Sequence, residues 1–281
     1  MVQTPPQGPY SGPAPEPVSA FAAVLTAPNP GPMTLDGTNS YVLGFPGADS
    51  VVVVDPGPDH AGHLAALAGR GRVELILVTH RHADHTAGVD TLHRLSGAPV
   101  RAVLPEFCRG AEPLLGPGTG GREVIRAAGL EIWALATPGH TSDSVSFFLP
   151  DDGPHGAMAT GDTILGRGTT ILDFPDGTLG DYLASLDTLG GFGHAALLPA
   201  HGPVGASLVD VVDQYRVHRL ERLEQIRDAL AALGHTAGGP APTVAEVADA
   251  VYSDVDPTVR GAAEQSVAAQ LEYLLGGRSG R

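Results

Sequence analysis

No lysine occurs anywhere in the 281 residues; all sixteen basic side chains are arginine. That excludes a Walker-type phosphate loop, Schiff-base chemistry and a lysine general base. Cysteine is almost as scarce. Cys108 is the single one, so neither an intrachain disulfide nor a thiolate metal cluster can form, and the expectation is a reduced, cytoplasmic protein. Positive charge is in deficit, with sixteen basic against thirty-one acidic residues and a formal charge of −15. Such a balance argues against broad binding to nucleic acid or to an anionic membrane. Apolar runs such as Val51–Val54 are strand-sized and none could span a bilayer. A basic-then-apolar secretory leader is also missing from the N-terminus. What is present is 42 % hydrophobic against 17 % charged residues, enough for a sizeable core.

Three segments differ in character. Residues 1–18 are proline-rich and read as an extended tail. Residues 19–203 alternate short β-branched runs with turn signals, predicting strands at Ser40–Leu43, Val51–Asp55, Val73–Thr79, Val100–Leu104, Leu130–Thr137, Ser144–Leu149 and Met158–Thr160. Helical spacing at His63–Ala68 and Ala87–Leu95 makes this part a layered α/β domain. Residues 204–281 are helical. One long pattern covers Leu208–Leu233, a Gly/Pro break follows at Ala237–Pro242, and further helices are predicted at Val244–Tyr252 and Arg260–Leu275. Thr243 and Glu246 stand at capping-box spacing before the second of these.

The segment that carries chemistry is His80-Arg81-His82-Ala83-Asp84-His85, between an apolar strand and a helical pattern. Neutral imidazole and carboxylate suit Zn²⁺, and a loop at a strand end can turn alternate side chains toward one point. Further donors stand at other strand ends: His140 in Thr137-Pro138-Gly139-His140-Thr141, Asp162 in Thr160-Gly161-Asp162-Thr163, and His201 in Pro199-Ala200-His201-Gly202. Each alone reads more readily as a turn residue than as a ligand; their order in one chain does not.

His80-x-His82-x-Asp84-His85, then His140, Asp162 and His201, resembles the ligand set of the metallo-β-lactamase superfamily, from about Gly37 onward. The resemblance implies an α/β fold, the αββα sandwich, with two Zn²⁺ at one edge. It implies His80, His82 and His140 on the first metal, Asp84, His85 and His201 on the second, and Asp162 bridging. Two cations lower the pKa of a shared water toward neutrality, and Asp84 is the expected proton acceptor. Asp55, in Val54-Asp55-Pro56-Gly57, matches the superfamily's first motif and is expected to orient the site from behind the ligands, although an ordinary turn aspartate would look the same.

Within the superfamily, Asp162 stands where the penicillin-hydrolysing members have cysteine, His82 stands where the di-iron flavoproteins have glutamate, and Cys108 falls outside every motif. The chain is most similar to the β-lactamase-like protein 2 group, through Gly37-Thr38-Asn39-Ser40-Tyr41, Thr137–Ser144, Gly161–Gly166, Gly168-Thr169-Thr170, Tyr182–Leu186 and Pro199–Pro203. That resemblance implies a winged-helix-like C-terminal domain. Three readings follow. The first is a dinuclear zinc hydrolase of an ester, thioester or lactone; the second is a zinc phosphodiesterase cutting single-stranded RNA; the third is a non-catalytic winged-helix binding protein. An iron-dependent persulfide dioxygenase is more remote. From Pro203 onward seven arginines face eleven acidic residues, so an RNA face would have to be local, for instance Arg216, Arg219, Arg222 and Arg227, which a solvated helix surface explains more simply. Tyr182 could steady a substrate oxygen or be a core aromatic. His60, His63, His93, His155, His194, His218 and His235 read as turn or helix-surface residues. The sequence sets no oligomeric state.

Overall fold

Alternation within single strands sets the layering. The computed structural model describes residues 14–118, 122–235, 242–252 and 260–276. In Ser50–Val54, Val52 and Val54 enter one core while Val53 enters another. Arg72–Leu77 repeats this, with Leu75 and Leu77 on one side and Ile76 on the other. A strand buried on both faces reads as a continuous apolar run, and it needs a layer on each side.

Two sheets result. The first runs in the order β1 (Glu16–Pro17), β2 (Ala22–Thr26), β3 (Asn39–Leu43), β4 (Ser50–Val54), β5 (Arg72–Leu77), β6 (Val100–Arg101). The second runs β11 (Ala196–Pro199), β10 (Ala157–Gly161), β9 (Val145–Leu149), β8 (Leu130–Ala136), β7 (Arg122–Ala127). Leu43, Val54, Leu77, Ile132, Phe147, Leu149 and Ala159 fill the space between the sheets. Outside the first sheet, α1 (Ala61–Ala68) and α3 (Val89–Ser96) cover Val53 and Ile76 with Leu64, Leu67 and Leu92. Outside the second, α4 (Leu179–Gly190) and α5 (Leu208–Ala232) cover Met158 and Leu197. This is the expected αββα sandwich. Each fully buried Leu, Ile or Val contributes roughly 1.5–3 kcal/mol relative to leaving it in water.

β4–β5, β5–β6 and β10–β11 pair in parallel. Their C-terminal ends, where connecting loops leave the sheet, therefore lie along one edge. Bonds between the sheets close that edge: Asn39 N–H donates to Ala200 O at 2.7 Å, Tyr41 OH to Pro199 O at 2.8 Å, and Val145 N–H to Thr79 O at 2.9 Å.

The sequence reading differs from the structure at several places. The first sheet begins inside the segment expected to be tail, because Glu16 pairs with Val24 and Pro17 with Ala23. An edge strand tolerates Pro17, whose missing N–H faces outward. Residues 1–13 lie outside the described residues. Besides β1 and the short helix after β5, three longer elements escaped prediction: β2, which begins with two weak strand-formers; β7, an edge strand in which only Ile125 and Ala127 are buried; and α4, which carries Gly180 and Gly190. The strand expected at Val100–Leu104 is cut to two residues by a turn at Pro105–Phe107.

After α5 come α6 (Val244–Val251), with the expected Thr243–Glu246 capping box, and α7 (Arg260–Leu271), which runs into a π-turn at Glu272–Gly276. Ile226, Leu230, Val247 and Val267 form a small separate core for these helices. Among the described residues no strand follows β11, and most of the Ala237–Pro242 break lies outside them. No described helix is long and apolar enough to cross a membrane.

Candidate metal centre

β5 delivers Thr79 and His80, and the four-residue helix α2 (Ala83–Thr86) that follows turns Asp84 and His85 back toward the strand ends. His140 comes from the β8–β9 turn, Asp162 from the end of β10 and His201 from the end of β11. Two of these turns require glycine. Gly139 has φ +134°, and a Cβ there would stand 2.4 Å from Tyr182 Cα. Gly161 has φ +52°, and its Cβ would meet Thr79 at 2.8 Å, so the loops bearing Asp162 and His80 abut only because it is glycine.

All seven expected donors come together. One ligand atom each from His80, His82, His140 and Asp162 lie within 4.8 Å of one another, and so do one each from Asp84, His85 and His201. Asp162 faces both groups. Its Oδ2 is 3.6 Å from His140 Nε2, while its Oδ1 is 3.3 Å from His201 Nε2 and 3.5 Å from His85 Nε2.

Outer partners fix which ring nitrogen carries a proton. His140 Nδ1 donates to Ile171 O at 2.6 Å and His201 Nδ1 to Gly37 O at 3.2 Å, since a carbonyl can only accept. His85 Nδ1 donates to Asp55 Oδ2 at 2.8 Å, and His82 Nε2 to Asp173 Oδ2 at 3.2 Å. Thr79 Oγ1 donates to Asp55 Oδ2 at 2.7 Å, leaving its oxygen to accept from His80 Nδ1 at 3.1 Å. In the neutral rings the inward nitrogens are therefore all bare. His80 Nε2 and His140 Nε2 each sit 3.0 Å from His82 Nδ1, lone pair toward lone pair. Where the groups meet, His85 Nε2 and Asp162 Oδ1 are buried without a hydrogen-bond partner. Converging bare donors of this kind are what a cation relieves, and five imidazoles with two carboxylates fit borderline divalent metals.

The electrostatics of the metal-free side chains set the two groups apart. Burial, then the charges of His85 and His140, pushes His80 well below its ordinary value, and burial lowers His140 against the pull of Asp162. Burial opposes ionisation of Asp84, yet the adjoining His201 and His85 imidazoles hold its carboxyl well below the usual range. Asp162 falls to about 2, burial being outweighed by His85 and His201. Burial also disfavours charge on His201, but bonds to Asp162 and Asp84 push it up to about 9. His85 is likewise raised, the charges of Asp55 and Asp162 overcoming burial.

Asp55 lies behind the converging donors. It is buried, holds φ +52°, accepts from Thr79 N–H at 2.8 Å through Oδ1, and orients His85 through Oδ2. Asp173 does the same for His82, itself held by Arg81, which also pairs with Asp176. Nothing local in the sequence marks Asp173, which stands ninety-one positions from His82.

Other expectations are corrected. Tyr182 has no exposed surface, and its hydroxyl donates to Thr163 O at 2.7 Å, so it braces the Asp162 turn from within the core and does not reach a substrate. His63 is buried, not on a helix surface; its Nε2 lies 2.8 Å from Ser40 Oγ, and burial, with the charge of His60, pulls it down to about 4. Arg219, expected on a solvated surface, is 4 % exposed. Arg216 and Arg227 pair with Asp187 and Glu224, which leaves no free basic stripe on α5. Cys108 is half-buried beside the first sheet, away from the donors.

A four-layer sandwich whose parallel strand ends gather these donors at one edge defines a metal-binding hydrolase. The chain belongs to the metallo-β-lactamase superfamily, which it matches over residues 33–201. It is 31 % identical over 271 residues to a Caenorhabditis elegans β-lactamase-like protein 2 homolog, covering 92 % of this chain and 86 % of that one. It is 30 % identical over 260 residues to the atrochrysone carboxyl ACP thioesterase of Aspergillus chevalieri, covering 90 % and 80 %. Among solved structures it is similar to a metallo-β-lactamase family protein from Thermus thermophilus, at 23 % identity and TM-score 0.71, covering 92 % and 94 %.

Proposed function

We propose that this chain is a dinuclear zinc hydrolase cleaving an acyl bond, a thioester before an ester or lactone. The observation that carries the dinuclear reading is the division of the donors into two groups with Asp162 facing both. The thioester is favoured by the thioesterase relative. Zinc is favoured because the donors are imidazole and carboxylate, with no sulfur among them.

His80, His82 and His140 would hold one cation, Asp84, His85 and His201 the other, with Asp162 between them. When bound, the cations supply Lewis acidity toward the scissile carbonyl and water activated near neutral pH. The chain does the rest. Asp55, Asp173, Ile171 O and Gly37 O hold the rings in the tautomer that leaves the inward nitrogens bare. Asp84, with 28 % of its side chain exposed and a hydrogen bond from Thr38 Oγ1 at 3.2 Å, is the carboxylate open to solvent and the proposed proton acceptor. Residues 204–281 form the proposed C-terminal domain, winged-helix-like in descent, walling the catalytic domain of residues 19–203. The lone cysteine fits a reduced, cytoplasmic setting.

The test is an activity panel on metal-quantified protein with thioesters, lactones and single-stranded RNA. Thioester hydrolysis with two zinc ions per chain, changing little between 50 and 200 mM salt, is the expected result. Cleavage of RNA alone, falling steeply with salt, would replace this reading with the phosphodiesterase. Turnover surviving complete demetallation would remove it, and activity only with iron would remove zinc.

A further inference from the structure

In a chain of net charge −15 most described arginines have an acidic partner. Arg219 and Arg222 are among those that do not, and Arg219 is the buried one. Arg219 donates to Thr170 O at 2.6 Å and stacks 4.8 Å above the Tyr182 ring; Arg222 donates to Gln225 Oε1 at 2.7 Å and lies 5.1 Å from the Tyr252 ring. Among the described residues neither makes an ion pair. Arg219, 4 % exposed and with only neutral partners, is an unbalanced buried charge, and burying one is costly. Its Nε has no hydrogen-bond partner, and neither does the buried Nδ1 of neighbouring His218.

These three side chains line one cavity of about 230 Å³, together with Tyr252, Ser266 and Thr170. Among the described residues no carboxylate lines it. Its volume is roughly that of seven or eight liquid waters at about 30 Å³ each, room for a phosphate and several carbon atoms. Its position connects it to the metal centre. Thr170 and Ile171 form one wall, and the same two residues contact His140 Nδ1, through Thr170 Oγ1 at 3.2 Å and Ile171 O at 2.6 Å. Planar guanidinium groups match phosphate oxygens in pairs, where lysine would offer only a point charge.

We infer that this cavity binds the phosphate of the substrate's thiol portion, so that the enzyme selects acyl thioesters of a phosphorylated thiol of the phosphopantetheine type. The inference rests on the thioester reading above and adds the group recognised. It also gives the C-terminal helices a part in specificity, since α5, α7 and the end of α6 build three walls of the site.

The experiment compares acetyl-4′-phosphopantetheine with acetylpantetheine as substrates of the zinc-loaded full chain, and titrates 4′-phosphopantetheine, pantetheine and inorganic phosphate calorimetrically. The phosphorylated thioester is expected to have a kcat/KM at least about tenfold higher, the low end for a charge-assisted contact. Arg222→Gln, on a half-buried side chain and checked for an unchanged melting temperature, is expected to bring that ratio to within about threefold of one. Calorimetry on wild type stands without the variant. Binding of 4′-phosphopantetheine tenfold tighter than pantetheine, with no thioester turnover, keeps the phosphate site and removes the thioesterase reading. Turnover of both thioesters at equal kcat/KM, without preferential binding, keeps that reading and removes the site. Inorganic phosphate binding as tightly as 4′-phosphopantetheine, or an oligoribonucleotide displacing it, assigns the cavity elsewhere and overturns the inference.

Discussion

Asp55→Asn tests the tautomer argument with a change of one atom. In the native site Asp55 Oδ2 accepts from His85 Nδ1 at 2.8 Å and from Thr79 Oγ1 at 2.7 Å, while Oδ1 accepts from Thr79 N–H at 2.8 Å. The asparagine amide would keep its oxygen on the Thr79 backbone, which cannot reverse its donor, and would place NH₂ against His85 and Thr79 Oγ1. Thr79 can rotate to accept. His85 can accept only by moving its proton to Nε2, the nitrogen aimed at Asp84 and Asp162. The backbone is not a confounder, because asparagine tolerates φ near +52° at least as well as aspartate. The cost is a buried hydrogen bond made with the wrong proton, about 1–3 kcal/mol, which corresponds to the 10–100-fold loss of metal affinity usual for partners behind a ligand. Competition with a chromophoric chelator measures it, and kcat at saturating zinc follows separately. The expected variant folds, binds its second metal equivalent 10–100-fold more weakly, and regains part of its activity in excess zinc. Wild-type affinity for both equivalents would refute the reasoning.

His82→Ala removes the nitrogen on which two other imidazoles converge, so metal content should fall by one equivalent with activity lost, as read by mass spectrometry of the dialysed protein; full occupancy would contradict it. Gly139→Ala forces a Cβ to 2.4 Å from Tyr182 Cα at φ +134°, costing at least about 2 kcal/mol, and an unchanged urea midpoint would show the turn to be softer than drawn. For His201 the folded value of about 9 lies above its ordinary 6.5. In metal-free protein its contribution to stability is therefore full below about pH 6.5 and lost as pH rises through about 9. Melting temperatures of chelated protein should decline across that window, and a flat profile would refute the assignment. Zinc binding near pH 7.5 should release protons for the same reason, as seen by calorimetry in buffers of different ionisation enthalpy.

The sandwich was legible where burial on both faces writes itself as an apolar run, as in Val51–Val54 and Leu75–Val78. It was illegible where a strand is held by its neighbours instead of its own pattern. β7 pairs with β8 over six residues while exposing Arg122, Val124 and Arg126 in different degrees, and β1 exists only because β2 lies beside it. α4 was hidden by its glycines, although Thr178 accepts from Asp181 N–H at 3.1 Å as a local start signal. Register, edges and glycine-bearing helices are decided by tertiary contacts, to which a propensity reading is blind.

The ligands were legible for a different reason: histidine and aspartate after strand ends are rare types in fixed order, and chemistry needs those types. The groups behind them were not, because a peptide carbonyl carries no residue signature. Ile171 and Gly37 act through backbone oxygen, and Asp173 through a fold that brings it beside His82. These silent partners also divide the site. One carbonyl oxygen, threonine hydroxyls and one outlying carboxylate back the His80, His82 and His140 group, where buried His80 and His140 are pushed toward the neutral form. In the other group His85 meets Asp55, Asp84 and Asp162, and His201 meets the last two, so both imidazoles hold protons above their ordinary range. On the proposed two-metal reading, a first cation would meet bare nitrogens at neutral pH, whereas a second would have to displace protons that the carboxylates retain. Three imidazoles with Asp162 on one side and two with Asp84 on the other would thus differ in affinity partly through neighbours outside the donor set.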